Sequence, residues 1–198
     1  MIDHSRIGSR LIARVATLAP ALSLALMLTA LVPLAADPTR AAVADSSAVG
    51  FTVKIGVPIA APADVVFLAV IDDVADWWDP AHTYSGDSGN LSIEPVAGGC
   101  FCEQIEGNGS VQHMEVVYVD QGKTLRMIGG LGPLQGLAVY GSMTWEFADT
   151  EKGSRVDLTY AVSGYVHEGL AGWAARVDGV LSAQVARLKE HVEKTPGK

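Results

Sequence analysis

The sequence predicts an α+β domain, and three observations carry that prediction. A period-two apolar run begins at Gly50, helical spacing occurs in only two regions, and turn residues cut the stretch between them into short alternating runs. Strands joined so closely pair antiparallel, because parallel neighbours need crossovers of about a dozen residues.

Each element follows from its residues. Phe51, Val53, Ile55 and Val57 alternate with polar or small neighbours and read as the opening strand. Pro62 and Asp64 mark a helix start, with Val66, Phe67 and Val70 at helical spacing. Asp72 or Asp73 is expected to cap a second short helix through Trp77 and Trp78. Asp79-Pro80 ends it, since proline pushes its predecessor out of helical geometry. Five or six strands then run to Gly164. Finally Leu170, Trp173, Val177, Leu181, Val185, Leu188 and Val192 recur at three- and four-residue steps, the stripe of one long amphipathic helix. Arg176, Asp178, Arg187, Lys189 and Glu190 mark its polar face, so its apolar face must lie on the sheet.

Composition excludes some functions. The 198 residues hold 14 Lys+Arg against 22 Asp+Glu, and four of those bases and two of those acids fall within residues 1–44. The remainder is strongly acidic and has no basic cluster, so it lacks the cationic footprint that nucleic-acid backbones and anionic bilayers require. Residues 45–198 suit one domain able to bury a core without staples.

Residues 1–44 read as an export signal, or as an uncleaved anchor. Arg6, Arg10 and Arg14 precede the uncharged run Val15–Ala36, and Ala42-Val43-Ala44 places small residues before Asp45, where cleavage is expected. The folded part is therefore expected in a periplasmic or extracellular space, with membrane contact only through the leader.

The order of elements is that of a helix-grip fold, a curved antiparallel sheet wrapped on a long C-terminal helix. VPIAAPADVVFLAVIDDVADWWD, GGCFCE, HMEVVYVDQGKTLRM and YAVSGYVHEGLAGWAARVDGVLSAQVARLKEHV make residues 50–193 resemble the START-like, or SRPBCC, superfamily. The resemblance is to the branch labelled polyketide cyclase/dehydrase or activator-of-Hsp90-ATPase-like. It implies a largely apolar cavity between sheet and helix, holding a lipid, polyketide or other hydrophobic small molecule.

Candidate ligand-contact residues are Trp77, Trp78, His82 and Tyr84, whose flat rings and few directional polar groups suit a cavity mouth, together with Trp173 on the final helix. Cys102, Glu103 and His113 complete the set. A two-residue type I′ turn on Asn108-Gly109 would set Gln104 opposite His113, Cys102 opposite Glu115 and Cys100 opposite Val117. Cys100, Cys102 and His113 would then share one face, with Phe101, Glu103 and Ile105 on the other. Cys100 and Cys102 are expected to remain unbridged, since strand spacing holds their Cα atoms near the upper limit for a disulfide. Their spacing with His113 is not that of a structural metal site, and no metal or cofactor is expected. The glycine- and leucine-rich segment Gly129–Leu137 leads into a strand, so it is no phosphate cradle; it suits a loop over an apolar pocket.

The expected function is that of an exported protein holding a hydrophobic or amphipathic small molecule. The alternative is a polyketide cyclase or hydrolase-type enzyme using His82, His113, Glu103 or Tyr84 as proton carriers.

Overall fold

The computed structural model describes residues 40–195. The expected leader, apart from Arg40–Ala44, lies outside them. The described residues form one compact unit.

Eight strands make one antiparallel sheet: β1 Arg40–Ser46, β2 Gly50–Ile59, β3 Leu91–Ile93, β4 Cys100–Ile105, β5 Gly109–Asp120, β6 Thr124–Ile128, β7 Ala138–Thr150 and β8 Gly153–Tyr165. Their spatial order is β1-β2-β8-β7-β6-β5-β4-β3. Between β2 and β3 come α1 Ala63–Asp72, α2 Val74–Trp77 and two single turns of 3₁₀ helix, Pro80–His82 and Ser88–Asn90. The chain closes with α3 Ala171–Lys194, which packs on β2 and β1, while α1 packs on β7 and β8. This is the helix-grip arrangement.

Strand alternation builds the core. Val53 and Ile55 of β2, Leu158 and Tyr160 of β8, Met143 and Trp145 of β7, and Leu125 and Met127 of β6 all turn to the helix side and are buried. From α3, Ala174, Leu181, Val185, Leu188 and Val192 close the same core. Trp77 is also core, 2% exposed, with its Nε1–H donating to the Ala69 carbonyl at 2.9 Å.

Three expectations are corrected. Asp73 does sit at the N-terminus of α2, but its side chain caps nothing; its Oδ2 instead meets His191 Nε2 at 2.8 Å. The turn before β5 is Glu106-Gly107-Asn108, with positive φ at Gly107 (75°) and Asn108 (66°), one residue earlier than a turn on Asn108-Gly109 requires. Gln104 therefore pairs with Ser110 and Cys102 with Gln112, whereas Cys100 pairs with Glu115. The third is the cysteine pair: Cys100 and Cys102 form a disulfide, their Cα atoms 5.4 Å apart. An extended strand would hold them about 6.6 Å apart; β4 is shortened here, beside an irregularity in its pairing.

That irregularity is a β-bulge. Phe101 opposes Met114 and Cys102 opposes Gln112, leaving His113 as the extra residue of β5. Consecutive residues His113 and Met114 are consequently both buried on the helix side. The register derived from a regular hairpin missed this, because a one-residue bulge exchanges the faces beyond it.

The sheet begins earlier than Gly50. Arg40 to Ser46 pair with Gly56 to Phe51, so β1 runs across the Ala44 cleavage point expected from the sequence.

Candidate functional site

A cavity of about 330 Å³ lies under the first half of α3. Three segments and the sheet meet there. Trp78, His82 and Tyr84 come from the stretch after α2; Leu131, Pro133 and Leu134 from the segment between β6 and β7; Trp173, Arg176, Val177 and Leu181 from α3; His113 and Tyr160 from the sheet.

Local chemistry fixes each wall. The Trp78 Nε1–H donates to the His82 carbonyl at 3.1 Å, closing the Pro80–His82 turn, and its ring meets Phe101 edge-on at 5.4 Å. Gln184 is fully buried in the apolar stripe of α3: its Oε1 accepts the Asp79 N–H at 2.9 Å, and its Nε2 donates to His82 Nδ1 at 3.0 Å. Tyr84 donates its hydroxyl proton to the Gly132 carbonyl at 3.0 Å and stacks on His113. Tyr160 donates to the Gly129 carbonyl and accepts from the Leu131 N–H, both at 3.0 Å, tethering the segment between β6 and β7 to the sheet. Gly141 makes room for that ring, since a Cβ there would lie 2.5 Å from it. Burial pushes the Tyr160 hydroxyl up to about 12.

Glu103 and His113 form a buried pair. Glu103 has no exposure; it accepts the Tyr84 N–H at 3.0 Å, the Ser85 N–H at 2.5 Å and His113 Nε2 at 2.9 Å. Burial pushes its carboxyl up, but those hydrogen bonds prevail and hold it below the usual carboxylate range. Burial lowers the His113 imidazole, against the pull of Glu103. The pair is therefore a carboxylate and a neutral imidazole with its proton on Nε2. His113 Nδ1 is then a bare acceptor, buried and without a hydrogen-bond partner among the described residues.

Of the residues singled out from the sequence, Trp78, His82, Tyr84, His113 and Trp173 line the cavity. Trp77 does not, being packed in the core against Trp78 and Trp145. Glu103 lies behind His113 rather than in the wall. Cys102 is half-buried on the other face of β4, bridged to Cys100, and is no cavity residue. Sequence reasoning missed Tyr160 and Gln184. Both carried a signal: a hydroxyl in the inward series Leu158, Tyr160, Val162, and an amide between Leu181 and Val185, are polar atoms that burial obliges to find partners.

Outside the cavity, Asp73, Asp76 and His191 bring three ligand atoms within 4.8 Å of one another. That group is partly exposed, and its Asp73–His191 contact is an ion-pair geometry within the protein. No helix among the described residues is long and apolar enough to cross a membrane.

The sheet, the gripping helix and the walled space beneath it define a helix-grip domain. Residues 50–193 match the family described as polyketide cyclase / dehydrase and lipid transport, and the chain belongs to that family. Solved structures agree on the fold. A Mesorhizobium loti protein aligns with TM-score 0.55 at 17% identity, covering 74% of this chain and 99% of its own. A Rhizobium leguminosarum protein aligns with TM-score 0.57 at 16% identity, covering 76% and 99%. A Mycobacterium smegmatis protein aligns with TM-score 0.54 at 16% identity, covering 81% and 99%. No curated protein matches the chain in sequence.

Proposed function

We propose that the chain is an exported binding protein for a hydrophobic or amphipathic small molecule, held in the cavity between the sheet and α3. The observation that carries this reading is the cavity itself. Its volume of about 330 Å³ is that of a small-molecule site, and aliphatic and aromatic side chains supply most of its wall. Export is supported by the three arginines and uncharged run of residues 1–36. A thermal-shift screen of lipids and aromatic metabolites tests the reading. Apolar compounds should raise the melting temperature, and Trp78→Ala should diminish that rise more than Glu190→Ala on the exposed side of α3. Equal behaviour of the two variants would remove the cavity as the binding place.

A second reading is favoured by one observation, the Glu103–His113 pair. A neutral imidazole oriented by a buried carboxylate is suited to take a proton, so an acid-base enzyme of polyketide cyclase or hydrolase type would use His113 as base and Glu103 as its orienting group. The two readings separate on His113→Gln: an enzyme loses turnover of a poly-β-keto thioester analogue while still binding it, whereas a carrier shows no turnover to lose.

A further inference from the structure

We propose that the molecule held in this cavity is an amphiphile with a carboxylate head, which Arg176 receives at the cavity mouth while the apolar body fills the space beneath. This rests on the binding reading above and names the class of ligand.

Most polar groups of the lining already have partners within the protein. Thr83 donates its hydroxyl to the Pro80 carbonyl at 2.8 Å, and the hydroxyls of Tyr84 and Tyr160 donate to Gly132 and Gly129. His82 is held by Gln184 and His113 by Glu103 through Nε2; the unpartnered His113 Nδ1 is an acceptor and offers an anion no hydrogen bond. Arg176 differs. It is the one side chain of fixed charge in the lining, and its guanidinium has neither a hydrogen bond nor an ion pair to any described residue. It is exposed, with its Cζ 5.7 Å from the centroid of the Trp173 ring, an aromatic support that leaves the N–H edge free.

The helix around it explains the lack of a partner. Neighbours on a helix surface are three and four residues away. For Arg176 these are Gly172, Trp173, Gly179 and Val180, none of them acidic. Asp178, two residues on, points elsewhere. Every other basic side chain that α3 carries is engaged: Arg187 donates to the Trp77 carbonyl, Lys189 pairs with Glu193, His191 with Asp73 and Lys194 with Glu190. Arg126 bonds the Thr144 hydroxyl and Arg155 pairs with Asp157, so among the described arginine side chains the one with neither a hydrogen bond nor an ion pair is the one at the cavity.

A planar fork of donors matches a carboxylate in two parallel hydrogen bonds, which an alcohol cannot reproduce. The rest of the lining carries no second fixed charge, so the ligand carries its anion at one end.

The test is a titration of the full chain with dodecanoate and with 1-dodecanol at about pH 8, where the acid is ionised, read by tryptophan fluorescence. Dodecanoate should bind roughly five- to tenfold tighter than the alcohol. Arg176→Gln should bring that ratio toward one, Arg176→Lys should retain part of it, and Arg126→Gln on β6 should leave it unchanged. Equal binding of acid and alcohol to the wild type, or a preference that survives Arg176→Gln, overturns the carboxylate assignment and leaves the cavity reading standing. Binding of neither compound, with no thermal shift from any apolar compound, overturns both.

Discussion

His113 Nε2 lies 2.9 Å from Glu103 Oε2, with the histidine 5% and the glutamate 0% exposed. Two residues ten apart in sequence are thus brought to one buried contact by a bulge that adds a residue to only one of their strands.

Stability should therefore fall with acid in two stages. His113 is held below its ordinary 6.5, so under mild acid the unfolded chain takes up a proton before the folded one does. Stability is full above about pH 6.5 and declines as pH drops toward the folded value. Glu103 is held below its ordinary 4.5; its contribution is present above that pH and lost as pH falls through the lowered folded value. Urea unfolding of His113→Gln should show a shallower decline between about pH 6.5 and 5. An unchanged slope would contradict the neutral imidazole.

At the alkaline end Tyr160 dominates. Its folded value of about 12 exceeds the ordinary 10.0, so its contribution is complete below pH 10 and lost as pH rises through about 12. Tyr160→Phe should remove that decline and cost about 1–2 kcal/mol at neutral pH through the two lost hydrogen bonds. Hydrogen exchange should rise over residues 129–137, which the hydroxyl tethers; protection unchanged there would show that other contacts hold the segment.

The Cys100–Cys102 bridge closes a very short loop, and loop entropy assigns it only about 1–2 kcal/mol. The double variant Cys100→Ser, Cys102→Ser should therefore fold and lose about that much in urea melts. A loss above about 4 kcal/mol would mean that the bridge also holds the bulge beside it.

A core tryptophan and a cavity tryptophan should behave differently. Trp77→Ala empties a core site and should cost about 3–5 kcal/mol. Trp173, half-buried in the cavity wall, should cost less than half of that as Trp173→Ala yet weaken stabilisation by apolar compounds. Equal unfolding midpoints for the two variants would place both indoles in the same environment.

The architecture was legible because its signals are local. Period two in β2, Pro62 at the start of α1 and the stripe from Leu181 to Val192 each express one element's own geometry. Half of the site was legible for the same reason, since Trp78, His82 and Tyr84 lie within one stretch beside a helix end. The rest depends on pairing over distance. Nothing near His113 announces a bulge, and the shift of the positive-φ pair from Asn108-Gly109 to Gly107-Asn108 moves the register by an amount that local propensity does not resolve. Arg176 reads as one more charge on a polar helix face; its distinction is that no described residue bonds to it.

The pairing of Arg40–Ser46 with β2 has a consequence for biogenesis. Trimming after Ala44 would leave Asp45 and Ser46 as the whole of that outermost ribbon, baring the flank of β2 and its row of unsatisfied amides and carbonyls. Such a flank recruits strands from other molecules. Under the proposed export, the position of such a cut would decide whether the released protein is self-sealed or adhesive.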